Sequence, residues 1–311
     1  MNELKIVYMG TPEFSVGPLE ELTKNYNVEM VVTQPDKEVG RKKILTPSKV
    51  KEFALKKGIK VFQPNKIRSD YKEILDIKPD LIVTCAYGQI IPKELIEFPK
   101  YGCINIHASL LPEYRGGAPI HHAVMDGKTK TGITIMFMNE KMDEGDILYQ
   151  KEIEILDTDN SSIMFNKLSK LGSEMIGEFI PRLISNDYTR IVQDNEKATY
   201  GYNITKEDEK ISFNNNIVDI YNKIRGLSEV PGSYAFLDDK RVKIYNSRIG
   251  KDIKGIPGEI INIYDDGLGI MTKDKEIIIT EIQIEGKQRE LVKNYLNGIQ
   301  DKSKILGKVF K

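Results

Sequence analysis

Short apolar runs at residues 5–9, 28–33, 59–62, 81–84, 103–107 and 133–137 are separated by stretches with helix-like spacing of apolar positions. Several of these runs are apolar on consecutive positions, as strands are when helices cover both faces of a sheet. Strands alternating with helices make a parallel sheet with helical crossovers. The first half therefore predicts a doubly wound, mostly parallel α/β domain, and in such sheets ligands bind beyond the carboxyl ends of the strands. From Ser161 on, Ile163, Phe165, Leu168, Leu171, Met175, Ile176, Phe179, Ile180 and Leu183 keep a helical repeat, with Asp159, Asn160 and Ser161 as capping candidates. A long helix that closes the first domain follows from that pattern.

Residues 185–209 are polar and turn-rich and predict a linker, although Tyr200 and Tyr202 suggest that part of it packs down. The boundary is placed near residue 205, giving domains 1–204 and 205–311. Beyond a short helix at 217–225 the pattern changes to β segments at 233–237, 242–247, 258–264, 267–272 and 276–284. These are separated by Pro-Gly, Asp-Asp-Gly and Asp-Lys turns. A small antiparallel β-barrel, OB-like, is the expected second domain.

Composition narrows the function classes. The 311 residues are 40% hydrophobic, with 46 Lys+Arg against 46 Asp+Glu. Attraction to a polyanion must then come from local patches rather than from a global field. The first nine residues hold an apolar run too short for a signal sequence, and no stretch approaches ~18 consecutive apolar residues, so a cytoplasmic protein without a membrane partner is expected. Cys85 and Cys103 lie in apolar segments without CxxC spacing, which predicts buried free thiols rather than a disulfide or a zinc site.

Candidate chemistry concentrates at two strand ends. The run from Gly102 to Ile120 carries an apolar strand into a loop rich in Pro and Gly. Period-two alternation puts Asn105 and His107 on one face near the carboxyl edge, although taken alone the pair reads first as a loop-capping Asn and a hydrogen-bonded edge His. A second polar cluster, from Met142 to Asp146, follows the strand at 133–137. An Asp there could orient the imidazole and raise its pKa, although a solvated turn reads the same way. Between residues 34 and 51 six basic residues (Lys37, Arg41, Lys42, Lys43, Lys49, Lys51) face two acidic ones, Asp36 and Glu38. A second basic zone follows Lys287, with Arg289, Lys293, Lys302, Lys304, Lys308 and Lys311 against Glu290 and Asp301. Two such zones suit a long anionic ligand. Gly10 stands alone where a dinucleotide-binding turn has three glycines, which disfavours a nicotinamide cofactor. Walker A and Gly-x-Ser-x-Gly motifs are absent from the sequence, and the adjacent His121 and His122 lack a carboxylate at ligand spacing.

Four segments together, Gly10 to Phe14, Gln34 to Asp36, Asn105 to Ile120 and Met142 to Leu148, resemble the methionyl-tRNA formyltransferase family, and the resemblance extends over essentially the whole chain. Ile224-Arg225-Gly226 and Pro231-Gly232-Ser233-Tyr234 resemble the opening of that family's C-terminal barrel. The resemblance implies a Rossmann-like formyltransferase domain that uses 10-formyltetrahydrofolate without a metal. It implies Asn105, His107 and Asp143 as the catalytic trio, and Ser109, Leu110, Leu111 and Pro112 as lining of the folate site. Arg41, Lys42 and Lys43 would then lie on a loop set against the acceptor end of initiator Met-tRNA. A monomer is expected. Ser15, Asn139, Lys141 and Ser228-Glu229-Val230 depart from the family's common residues, and the chain has no Trp. The readings kept beside this one are a folate-dependent formyltransferase acting on an amino sugar nucleotide and a noncatalytic RNA-binding protein.

Overall fold

A computed structural model describes residues 2–40 and 42–311. The chain divides into two compact units. One comprises the chain up to Pro119 together with 130–154 and 165–202; the other comprises 120–129, 155–164 and 203–311.

The first unit is built on β1 (Asn2–Gly10), β2 (Tyr26–Val32), β5 (Lys60–Phe62), β6 (Leu81–Cys85), β7 (Cys103–His107), β8 (Lys130–Phe137) and β9 (Ile147–Glu154) in the order β5-β2-β1-β6-β7-β8-β9. The first five of these strands are parallel. The crossovers carry α1 (Val16–Asn25), α2 (Lys49–Lys56), α3 (Lys72–Ile77) and α4 (Lys93–Glu97). β6 is buried at every position, which is why its sequence is apolar without alternation. One difference from the sequence expectation matters for the site. The strand expected at 133–137 runs antiparallel to β7, and β9 adds a second antiparallel strand beyond it. β8 therefore ends beside the start of β7, Phe137 opposite Ile104, and the β8–β9 loop has to fold back along β7 to set Asp143 near His107.

Gly10 is explained by packing rather than by a phosphate. A Cβ there would stand 2.8 Å from Ser15 Cβ and 2.9 Å from the Tyr8 ring, because Ser15 is drawn in by Tyr8, whose hydroxyl donates to Ser15 O at 2.6 Å, and donates its own hydroxyl to Cys85 O at 2.6 Å. Both cysteines are buried and unpaired with each other. Burial pushes the Cys85 thiol up to about 12 and the Cys103 thiol up as well, so neither is a nucleophile near neutral pH.

The basic segment is not an irregular loop. It forms an isolated hairpin of β3 (Lys37–Val39) and β4 (Ile44–Thr46), with Val39, Ile44 and Leu45 exposed. Two helices begin in one unit's segments and end at or in the other's, α5 (Pro119–Met125) and the long α6 (Ser161–Ile184).

In the second unit α7 (Ile217–Gly226) precedes β10 (Ser233–Leu237), β11 (Lys240–Ile249), β12 (Ile260–Ile263), β13 (Leu268–Met271), β14 (Glu276–Ile284), β15 (Glu290–Leu291) and α8 (Val292–Asn297). The sheet is antiparallel in the order β10-β11-β14-β13-β12. Its two edges are joined through the chain's last residues. Phe236 of β10 exchanges two 2.8 Å backbone hydrogen bonds with Lys311, while Phe310 N donates to Gly258 O and Ile260 N to Lys308 O, each at 2.8 Å. These bonds occupy the edge groups that an open sheet leaves unpaired and close the barrel around Ile244, Ile260, Ile270, Ile277 and Phe310. The fit at the seam requires glycine at 258, where φ is +89° and a Cβ would meet Phe310 O at 2.4 Å. Replacement of the buried Phe310, whose ring lies 5.7 Å from that of Phe213, by Ala should destabilise this unit by about 3–5 kcal/mol, read as a lower denaturant midpoint for the second transition or for the common one.

Candidate active site

β7 ends on His107 at the carboxyl edge of the parallel strands. Asn105 and His107, two apart, share a face, and residues paired across neighbouring strands share it with them. The register pairs Thr84 of β6 with Asn105, and Thr134 of β8 with His107. Each functional side chain thus has a hydroxyl beside it.

Thr84 Oγ1 donates to Asn105 Oδ1 at 2.7 Å. With its oxygen engaged, the amide is left with Nδ2, a donor, to offer a ligand. Thr134 instead holds the turn after β7, since its Oγ1 donates to Ser109 O at 2.6 Å and accepts from Leu111 N at 3.2 Å and Gln150 Nε2 at 2.8 Å. His107 is 6% exposed, and its Nε2 lies 3.0 Å from Tyr114 O. A carbonyl only accepts, so Nε2 carries the proton of that bond. Nδ1 is then the nitrogen available for chemistry, and it faces Asp143 Oδ1 at 3.7 Å. Sequence reasoning assigns the orientation of the ring to Asp143, whereas here the bond that fixes it comes from a main-chain carbonyl.

Asp143 sits in the β8–β9 loop with φ +52°, a left-handed conformation that costs a non-glycine residue roughly 1–2 kcal/mol. Gly145 allows that loop to fold tightly, since a Cβ there would lie 1.7 Å from Phe137 O. Asp143 Oδ2 accepts from Gly116 N at 2.9 Å. The loop is also clamped from behind. Arg115, 1% exposed, donates from Nε and Nη2 to Gln193 Oε1 at 3.1 and 2.8 Å and from Nη2 to Asn195 Oδ1 at 2.8 Å, with Glu144 Oε1 3.5 Å from Nη1. Gln193 Nε2 in turn donates to Asp143 O at 2.8 Å and to Gly145 O at 2.7 Å. One amide thereby ties the loop carrying Asp143 to the loop whose carbonyl holds His107.

Of the residues expected at the folate site, Ser109 and Leu111 are buried while Leu110 and Pro112 are half-buried. The Ser109 hydroxyl donates to Glu113 O at 2.6 Å, so it shapes the turn. Leu111 and Pro112 are joined by a cis peptide bond. They form one wall of a cavity of about 510 Å³, completed by Ile147, Tyr149, Gln150 and Gln193 among others; none of Asn105, His107 and Asp143 lines it.

Among the candidate tRNA contacts, Arg41 lies outside the described residues. Lys42 and Lys43 are exposed on the hairpin, Lys43 with φ +49° and its Nζ 3.7 Å from Glu38. Lys49 and Lys51 pair with Glu52 and Asp36 at 3.0 and 2.7 Å. The second basic zone is partly consumed within its own unit. Arg289 bonds to Glu229 and Glu281, Lys304 lies 3.8 Å from Asp301, and Lys308 pairs with Asp238. His121 Nδ1 lies 2.7 Å from Gly226 O, and burial depresses its pKa.

Sequence reasoning left Thr84, Thr134 and Gln193 unnoticed and gave Arg115 no role. A signal existed only for Arg115, a basic residue inside the Pro- and Gly-rich loop that follows β7. Gln193 fell in a stretch that reads as linker.

A mostly parallel α/β domain followed by a small antiparallel β domain is the architecture of one class of one-carbon transferases, the formyl transferases. The chain belongs to that family: the model described as "Formyl transferase" matches residues 4–180, and that described as "Formyl transferase, C-terminal domain" matches residues 203–300. Its relatives include the methionyl-tRNA formyltransferase of Geobacillus sp. (strain WCH70), 51% identical over 95% of this chain and 94% of that one. That of Bacillus cytotoxicus is 49% identical over 95% of this chain and 96% of its own. Among solved structures, an N-formyltransferase from Helicobacter canadensis, described in complex with folinic acid and dTDP-3-aminofucose, superposes with a TM-score of 0.68. It is 20% identical and covers 92% of this chain and 100% of its own, a likeness of fold.

Gln193→Ala removes an acceptor from a buried guanidinium and a donor from two carbonyls. It should lower stability by about 2–3 kcal/mol, measured as a fall in the thermal midpoint, whereas Lys197→Ala on the exposed side of the same segment should change it by less than about 0.5 kcal/mol.

Proposed function

We propose that this enzyme transfers the formyl group of 10-formyltetrahydrofolate to the α-amine of methionine on initiator tRNA, with Asn105, His107 and Asp143 as its catalytic residues. The observation that carries the reading is the approach of His107 Nδ1 to Asp143 Oδ1 at 3.7 Å, in a chain about half identical to methionyl-tRNA formyltransferases over nearly its whole length.

The chemistry sets the demands. An α-amine with a pKa near 7.8 loses its proton at neutral pH for about 1 kcal/mol, so freeing the nucleophile is a minor cost. Addition of the amine to the formyl carbon makes a tetrahedral oxyanion, and its collapse must place a proton on the departing folate N10. A well-aimed donor to such an oxyanion is worth ~2.7–4 kcal/mol. Asn105 Nδ2, freed by the Thr84 bond to the amide oxygen, is one such donor. A protonated His107 Nδ1 is the other, its ring held by Tyr114 O. Asp143, anchored by Gly116 N, accepts the proton the amine sheds and passes it toward N10, directly or through water.

In this reading the turn from Ser109 to Pro112 borders the folate, and the Thr134 bonds give that border its shape. Arg41, Lys42 and Lys43 meet phosphates of the acceptor end. The enzyme works as a cytoplasmic monomer and needs no metal; among the described residues, no helix is long and apolar enough to cross a membrane.

Formation of formyl-methionyl-tRNA from charged initiator tRNA and 10-formyltetrahydrofolate, followed by mass, tests the activity directly; formylation of an amino sugar nucleotide in its place would select the other substrate. Asn105→Ala and His107→Ala should each lower kcat by about 10²–10³ with a much smaller change in KM, and near-wild-type kcat in either would remove that residue from the mechanism. Combined replacement of Arg41, Lys42 and Lys43 by Ala should raise KM for the tRNA and flatten its salt dependence, with kcat little changed. An unaltered KM would return the hairpin to a surface role.

A further inference from the structure

Tyr200 and Tyr202 form an exposed aromatic pair beside the catalytic loops. Their rings lie 5.3 Å apart and 6° from parallel, although the residues are 44% and 58% exposed. The main chain between them is fastened to the segment that organises the trio. Tyr200 bridges Arg115 in parallel register, Gly201 N donates to Arg115 O at 2.8 Å, Ala118 N donates to Gly201 O at 2.8 Å, and Tyr114 N donates to Thr199 Oγ1 at 2.9 Å. Arg115 stands between Tyr114, whose carbonyl holds His107, and Gly116, whose N–H holds Asp143. Backbones paired in this way run about 5 Å apart, so the two rings are rooted one strand-spacing from the residues that fix His107 and Asp143. Gly201 also packs closely: a Cβ there would lie 3.1 Å from Pro119 Cα.

We propose that this tyrosine pair is the stacking platform for the base of the substrate's 3′-terminal nucleotide. The inference rests on the tRNA reading above and deepens it. In an aminoacyl-tRNA the reacting amine belongs to an amino acid esterified to the last ribose. The base on that same ribose must therefore lie beside the reacting centre whenever the amine occupies it. That base is unpaired and single-stranded, and such bases are held on exposed aromatic faces, each stack being worth ~1–3 kcal/mol. An already stacked pair presents a face whose rotamers are restricted before binding, which reduces the entropy cost of capture. The platform takes a base of any sequence and so serves placement of the acceptor end rather than choice of tRNA.

The test uses the full chain and charged initiator tRNA carrying 2-aminopurine as the terminal base, whose fluorescence is quenched by stacking. Wild-type enzyme should quench it. Tyr200→Ala and Tyr202→Ala should each reduce the quenching and raise KM for the tRNA on the order of tenfold, with kcat at saturation falling much less, while Tyr200→Phe and Tyr202→Phe retain both. The proposal is overturned if both Ala variants quench and bind as wild type does, or if the Phe variants lose as much as the Ala ones. Wild-type enzyme that yields no formyl-methionyl-tRNA with unmodified substrate would overturn the tRNA reading itself, an outcome scored before any variant is compared.

Discussion

Arg115 brings a permanent charge into the interior of the first unit, where it is 1% exposed, and a guanidinium so placed is tolerated only if acceptors surround it. Gln193 and Asn195 supply them from the stretch after α6, Asn195 from a short 3-10 turn. Because an amide has a donor end as well as an acceptor end, Gln193 passes the constraint on to the carbonyls of Asp143 and Gly145. A left-handed Asp143 is thereby held against a histidine whose ring is fixed by the residue preceding Arg115. The strain in the Asp143 backbone and the buried charge of Arg115 are two costs met by one network, a common arrangement where side chains must be positioned before a substrate arrives.

The sheet contributes what the loops cannot. Pairing of β7 with β6 on one side and β8 on the other sets a threonine beside Asn105 and another beside His107. The two threonines then act differently. Thr84 turns the Asn105 amide so that a donor remains for a ligand, and Thr134 shapes the turn through Ser109 and Leu111. The reversal of direction at β8 comes after a connection long enough to carry α5, and it sets the end of β8 beside the start of β7. β8 and β9 are joined as an antiparallel pair by the loop that carries Asp143 back to His107.

In the second unit, part of the basic zone is engaged internally. Its basic zone reads as a polyanion surface, yet Arg289 and Lys308 are engaged by carboxylates distant in sequence. The first zone is likewise partly engaged, with Lys43, Lys49 and Lys51 beside carboxylates. Exposed ion pairs contribute little to stability, but they do occupy the positive charge that a phosphate would otherwise meet.

The amino-acid order alone specified the parallel strands, the long helix, the antiparallel tail and the placing of Asn105 and His107 on one face of a strand, because strand periodicity and local turn chemistry are short-range properties that survive without knowledge of neighbours, while Asp143 was singled out in its cluster by family resemblance. It left open the direction of β8, the closure of the barrel by residues 308–311, the hairpin inside the basic segment and the part played by Gln193. Each of those depends on partners far apart along the chain: which edge a strand meets, which carbonyl a buried amide reaches, which carboxylate claims an arginine. Such choices are settled by burial and hydrogen-bond satisfaction across the whole fold, and no local pattern encodes them.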